Sequence, residues 1–455
     1  MRASFGASPG EIDNIIQFPR ETVIKFLLAE GPLPPPPGEW INEPYIVRGL
    51  TREQRRELQR KNRERIRELL IWWLNLMAQS PLNLREKMVV FWHGHFVIEA
   101  SAVKIAQYLY QYLNMLRRNA LGNFRTFLKE MWKDPAMLIY LNGNQNRKQK
   151  PNENFARELM ELFTMGVDTL YTEADIKEAA RAFTGWRVDH TILSAVFVRR
   201  LYDDGEKTFL GRRGRFNGDD IIDIILEQEV TAEFICRKLY RFFVSPEVND
   251  DHVKSLAAIF RQNDYEIKPV LEAMFNSEYF YDKQAIGAII KSPVQLVVSL
   301  VRQLQPLAVD PVYAFRAMAT LGQELLNPPN VAGWPGQRAW ISPLTLATRS
   351  LFGEAAVLGG RIDRRNFNPA RQKPIKINMM NYARSFGIDT PRELLQRFLE
   401  HLLPLEPDGT TRQFLLDVLL EGAAEEDWSL SYEGVEARIK NCVAQILKLP
   451  EYQLT

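Results

Sequence analysis

The sequence has few of the residues on which small-site chemistry most often rests: its 455 residues include two cysteines and five histidines. Cys236 and Cys442 each lie inside an apolar, helix-like run, which excludes a disulfide framework or a thiolate zinc site and makes buried reduced thiols the expectation. Net charge is nearly absent as well. Lys plus Arg number 58 against 56 Asp plus Glu, and a balance of +2 gives no whole-molecule field to draw in a polyanion, so nucleic acid is not an expected partner. No stretch reaches the ~18 to 20 uncharged apolar residues of a membrane span. The longest candidate, Met88 to Ala102, carries His93, His95 and Glu99. The opening Met-Arg-Ala-Ser-Phe-Gly lacks the apolar core of a secretory signal, so the chain reads as cytoplasmic by default. Gly-x-Ser-x-Gly, His-Glu-x-x-His and Gly-x-Gly-x-x-Gly are missing too, which leaves serine hydrolase, zincin and dinucleotide-binding readings without support.

What is present is apolar residues at helical spacing: 46% of the chain is hydrophobic, enough for a large core. A short opening helix is expected over about Glu11 to Ala29. Pro32 and Pro34 to Pro37 then form a linker or an ordered polyproline strap. From Thr51, four glutamates interleave with eight basic residues and pass into Ile71, Trp72, Trp73, Leu74, Leu76 and Met77. This pattern predicts one long helix, solvated first and buried later. Its charged half reads as a solvated face rather than a phosphate-binding one. Helices follow over Val103 to Leu116, Phe124 to Trp132, Asn154 to Met165 and Ala174 to Phe183, the last with Thr172 and Asp175 as a capping box. The polar loop 142–152 divides them.

After Trp186 the period changes. Ser194 to Tyr202 and Glu206 to Leu210 are extended and rich in β-branched or aromatic residues, and Asp203-Asp204-Gly205 between them predicts a hairpin turn with a charged, exposed tip. Helical spacing resumes from Asp219 and ends in three amphipathic segments around Leu394, Leu415 and Ile446. The fold class is therefore mainly α, a multi-helix globular protein with one small β-hairpin insertion. It is read as a single helical domain over 1–455, divisible into an N-terminal helical region over 1–186, the hairpin and Gly/Arg loop over 187–218, and a C-terminal helical region over 219–455.

Several blocks together resemble a known family: Arg2-Ala3-Ser4-Phe5-Gly6, Phe91-Trp92-His93-Gly94-His95-Phe96, Asn152 through Phe163, Ala182-Phe183-Thr184-Gly185-Trp186, Phe216 through Ile221, Arg237 through Phe243, Pro328 through Gly336 and Leu449 through Leu454. In this order they resemble the bacterial family of unknown function 1800 from residue 2 to residue 454. The resemblance implies no activity, cofactor or catalytic residue. It does imply that many members are exported and that a partner resembling the alkaline phosphatase and sulfatase fold stands beside them, an associational argument.

The chief polar cluster is His93 and His95 with Glu158, Glu161 and Arg157. Imidazoles and carboxylates are a normal ligand set for zinc, manganese or iron, and Glu158 and Glu161 share a face if their helix is α. The two histidines complicate this, because on a helix positions two apart diverge by about 200°. The other reading is a hydrogen-bonded network that fixes the core, with Arg157 paired to Glu161 four residues on. Two weaker features complete the reading. Arg212, Arg213 and Arg215 among glycines could face an anion, unless Asn217 or Asp219 simply caps the next helix. Trp186, Trp334 and Trp340 could form an aromatic platform, unless they close the core.

Two functions follow from these features. One is a metal-dependent or acid/base enzyme in which His93, His95, Glu158 and Glu161 hold a divalent metal or move protons and Arg157 orients an anionic group. The other is a non-catalytic helical partner protein whose cluster serves only the fold.

Overall fold

Hydrophobic residues at helical spacing fold into twenty-one α-helices in the computed structural model, which describes residues 2–359 and 374–455. Among the described residues, strands are confined to three two-stranded ribbons. The mainly α fold class read from the sequence is therefore the one found.

Pro19 divides the predicted opening helix. Its missing N–H cannot continue an α ladder, so the chain forms Pro9–Ile15, capped by a reciprocal Ser8/Glu11 box, and then Arg20–Leu28. The proline run is an ordered strap: Trp72 Nε1 donates to Pro35 O at 2.9 Å and Arg85 donates to Pro32 O and Gly31 O. The long helix spans Arg52–Gln79 with a Thr51/Gln54 capping box. Nearly all its buried residues, among them Leu69, Trp73, Leu74 and Met77, lie in its second half, as the change from charged to apolar sequence requires.

Packed on this helix by way of its neighbour Ala106–Arg118 is Arg85–His95, whose residues are buried except Arg85 and Gly94. A helix apolar on all sides belongs in the interior. Its one strong charge pair is also internal: Arg117 donates to Glu86 through Nε at 2.5 Å and Nη2 at 2.9 Å, with the guanidinium 4.6 Å from the Trp72 ring centre. Glu229–Phe243 packs against Asp250–Gln262, while Pro391–Leu402, Gly409–Leu420 and Val435–Ile446 close the C-terminal region against Pro343–Leu358. The buried apolar side chains form one continuous cluster from Phe5 to Tyr452.

The predicted ribbon from Ser194 to Leu210 needs correction. Ser194–Phe197 pairs backward with Trp186–Asp189, and Lys207–Phe209 pairs forward with Arg212–Gly214, so the two extended runs do not pair with each other. Nor is Asp203-Asp204-Gly205 a free tip, although Asp204 itself is exposed. Asp203 N–H donates to Thr184 Oγ1 at 2.8 Å, its carboxylate accepts from Arg181 Nε at 2.8 Å, and the buried Lys207 ammonium caps Asp203 O and Gly205 O. Partners on the helix Glu173–Ala182 outcompete a hairpin turn. The Gly/Arg loop is likewise settled locally: Asn217 caps Gly218–Leu226 with Asp220 reciprocating, while Arg212 and Arg213 pair with Glu227 and Glu206.

Candidate functional site

The two histidines leave their helix in different directions, as α geometry demands. His93 is wholly buried. Its Nε2 accepts from Leu326 N at 3.1 Å, so Nδ1 carries the proton and donates to the Tyr112 hydroxyl at 3.0 Å, which in turn donates to Phe96 O at 2.7 Å. Burial holds the ring's pKa down at about 3. His93 is thus a neutral knot tying three segments of the core together.

His95 faces another neighbour. Its Nε2 lies 3.1 Å from Phe163 O, which can only accept, so Nε2 bears the proton and Nδ1 is left to accept from Lys238 Nζ at 2.9 Å. Lys238 also donates to Leu162 O at 3.0 Å. Burial, then the nearby lysine, keep the ring neutral well below its ordinary pKa. Both carbonyl acceptors come from one helix end. The α-helix Asn154–Glu158 widens into a π-helix over Leu159–Thr164, and the last carbonyls of any helix lack partners within it. The Asn152 to Phe163 block therefore reaches His95 through its terminal carbonyls and not through its glutamates.

Those glutamates lie on another surface. Arg157 makes its tightest contacts with Glu173, two at 2.7 Å, and looser ones with Glu153 at 3.3 Å and Glu161 at 3.4 Å; its side chain is 32% exposed. Glu158 is half-buried, and burial followed by Glu161 raises its pKa. The histidine bonds are made to Tyr112, Leu326, Phe163 and Lys238, and none to Glu158 or Glu161. Among the described residues no three His, Cys, Asp or Glu side chains gather so as to hold a metal ion. The bonds of His93 and His95 thus run to groups other than Glu158 and Glu161, and of these two carboxylates Glu161 is the one that meets Arg157.

His95 and Lys238 instead open onto a cavity of about 310 Å³ that the sequence reading did not identify. Lys87, Lys238, Arg241 and Lys291 line it, with no Asp or Glu side chain among the lining residues. Phe91, Phe242, Trp334 and Trp340 supply aromatic walls. Lys87 is buried, its ammonium donating to Ser4 O at 3.0 Å and Gln295 Oε1 at 2.8 Å; burial, then Lys291 and Arg2, drive its pKa well down. Lys291 Nζ has no hydrogen-bond acceptor and lies 3.9 Å from the Tyr452 ring centre, with a pKa lowered to about 7 by burial and Arg349. Lys238 is lowered to about 8 by burial and Arg241. Three desolvated amines in a wall without an Asp or Glu side chain are a standing electrostatic cost that a bound anion would relieve.

A family model described as a protein of unknown function (DUF1800) matches residues 1–454. The chain belongs to that family. Neither the curated proteins nor the solved structures yield a match. Four of the eight blocks that carry the family resemblance line the cavity: Phe5 from the first, Phe91, Gly94 and His95 from the second, Lys238, Arg241 and Phe242 from Arg237–Phe243, and Ala332, Trp334, Pro335 and Gly336 from Pro328–Gly336. Trp186 instead packs edge-on against Trp132. The missed cations had a faint signal, because Lys238 and Arg241 are three apart within an apolar helix and so share a face.

Proposed function

We propose that the cationic, aromatic-walled cavity is the functional site and that it binds a small organic anion with an apolar or aromatic portion. The observation that carries this reading is the lining itself: three lysines and an arginine with no acidic side chain, set beside rings that would cover the ligand's apolar part. The cationic groups recognise the charge, and the aromatic walls strengthen that recognition by limiting the water around it. On this reading His95 belongs to the site as Lys238's partner, His93 to the core, and Arg157 and Glu161 to a partly exposed ion network beside which the half-buried Glu158 stands. Isothermal titration with benzoate, phenyl phosphate and phenylpyruvate against the neutral benzamide tests it. The anions should bind and benzamide should not, and Arg241→Met should weaken them. Equal binding of benzamide, or no binding of any anion, overturns the reading.

One observation supports the second reading, a protein-partner role. Leu344, Leu351 and Leu358 are exposed at heptad spacing along Pro343–Leu358, just beyond the Trp334 and Trp340 loop. The candidate partner is the alkaline phosphatase and sulfatase-like neighbour implied by the family resemblance. If they associate, Leu351→Asp should abolish co-sedimentation of the two purified chains. Absence of association by the parent chain sinks this reading.

A further inference from the structure

We propose that Lys238 is a nucleophilic amine that forms an imine with the carbonyl carbon of a bound 2-oxo acid carrying an apolar side chain. This rests on the anion-binding reading of the same cavity and names its substrate class. The argument begins with the lysine's hydrogen bonds. The acceptors that hold its nitrogen are His95 Nδ1 at 2.9 Å and Leu162 O at 3.0 Å, and neither is a carboxylate. A neutral amine has two N–H bonds and one lone pair, so these two acceptors use both hydrogens and leave the lone pair in a direction taken by neither. His95 cannot rotate away from this duty, because Phe163 O fixes its other nitrogen as the donor. The Phe234 ring, 4.6 Å from Nζ, adds an apolar face, and a lysine desolvated without a counter-charge is the environment that makes an amine nucleophilic. The charged side chains that line the cavity with Lys238 are Arg241 on its own helix and Lys87 and Lys291 across it, while Glu229, Glu233 and Arg237 on that helix and Glu161 on the π-helix packed against it are not among the lining residues.

The carbonyl class follows from spacing. Arg241 stands three residues from Lys238 on the same helix and lines the same cavity, so on this proposal its guanidinium receives the carboxylate and Lys238 attacks the adjoining carbonyl carbon. Phe91, Phe242 and Trp334 then face the remaining, apolar part. In the step, the Lys238 lone pair forms the C–N bond while the carbonyl π pair moves to oxygen. The two amine protons pass to that oxygen, which departs as water when the C=N bond forms. No oxidant, reductant or metal enters the balance. His95 acts as a positioning residue through Lys238, since its Nδ1 holds the amine nitrogen.

The test is reductive trapping on the full chain. Phenylpyruvate and sodium cyanoborohydride are added, and the adduct is located by peptide mass mapping, with direct titration of phenylpyruvate in parallel. The expected result is one equivalent of reduced adduct at Lys238, formed about tenfold or more faster than at any other lysine. Lys238→Arg, which keeps a positive charge at the position but has no nucleophilic amine, should lose the adduct. His95→Leu should slow trapping more than it weakens binding, whereas His95→Gln, which retains an acceptor, should restore much of the rate. Phenylpyruvate that binds without an adduct at Lys238, or adducts distributed over surface lysines, overturns this inference and leaves the anion site standing. Failure of every anion to bind overturns the anion site itself. Should Lys238→Arg not fold, mapping on the parent chain still decides between these outcomes.

Discussion

A Cβ placed on Gly333 would lie 2.5 Å from the carbonyl oxygen of Gly94, and Gly333 holds a φ of +81°. The Gly-Trp-Pro-Gly loop therefore sits against the histidine helix only because one residue has no side chain, and this contact sets Trp334 against the His93 ring at 5.4 Å.

Gly333→Ala should consequently lower stability by about 1 to 3 kcal/mol through backbone strain and displacement of the loop. Gly94→Ala should differ in sign. Its Cβ meets no atom within 4 Å, and alanine gains roughly 1 kcal/mol over glycine inside a helix, while the added methyl on a lining residue narrows the cavity. Urea unfolding of the two variants, with benzoate titration of Gly94→Ala, checks both; equal losses of stability would refute the contrast.

The two ion networks should behave unequally. Arg157→Met breaks a partly exposed cluster and should cost no more than about 1 kcal/mol, with no recovery on adding zinc, manganese or iron. Arg117→Met strands the buried Glu86 carboxylate and should cost about 3 to 5 kcal/mol. Denaturation midpoints of the two variants, with and without chelator, decide the matter. A metal-dependent shift at Arg157→Met would restore the metal reading of Glu158 and Glu161.

The buried lysines set a pH dependence whose sign is fixed. Lys291 has a folded pKa of about 7, below the ~10.4 of an exposed lysine. Between those values the unfolded chain binds more protons, so stability rises with pH across that window. Lys87 and Lys238 act in the same direction. From pH 7 to 9, below the range where tyrosines ionise, the urea midpoint of the parent should rise, and that of Lys291→Met should rise less. Identical slopes would show that Lys291 is not held in a depressed state.

Anion binding should run the opposite way. The charged lysines attract the ligand, so benzoate affinity should fall as pH rises from 7 to 9, by at most about tenfold per unit for each proton required. Binding at pH 8 should be accompanied by proton uptake, because a bound anion raises the depressed pKa values. Titration in buffers of different ionisation enthalpy reads this directly, and proton release would contradict it.

Excising the Asp203–Glu206 corner should destabilise the protein, because Arg181 and Lys207 lose their partners there. An unchanged melting temperature would mean that the corner is an appendage after all.

Element type was legible where one local signal dominated. The Thr172 and Asn217 caps, the long helix after Thr51 and the final amphipathic helices appear in the structure as the spacing predicts. Asp203-Asp204-Gly205 misled because its turn chemistry is overridden by Arg181 and Thr184, partners 22 and 19 residues from Asp203 along the chain. The candidate site was half legible. The His-Gly-His block does reach it, but through His95 alone, and Glu158 and Glu161 gave way to the carbonyls of Leu162 and Phe163 once a π turn replaced the expected α-helix. Lys238, Lys87 and Lys291 could not be joined from sequence, because a lysine in an apolar run ordinarily extends to solvent. Only the tertiary fold shows that these three remain inside.

The cavity also has an order of birth. Its wall includes Phe5 near one extreme of the sequence and Thr455 at the other, with Ser4 O held by Lys87 and Gln295, and Thr455 N–H donating to Ile289 O. During synthesis the first of these segments emerges long before the helices that enclose it, and the chamber cannot close until residue 455 has left the ribosome. Before these segments meet, the ammonium groups stand in water, where they are ordinary lysines. The unusual amines come into being only when the last wall segment takes its place.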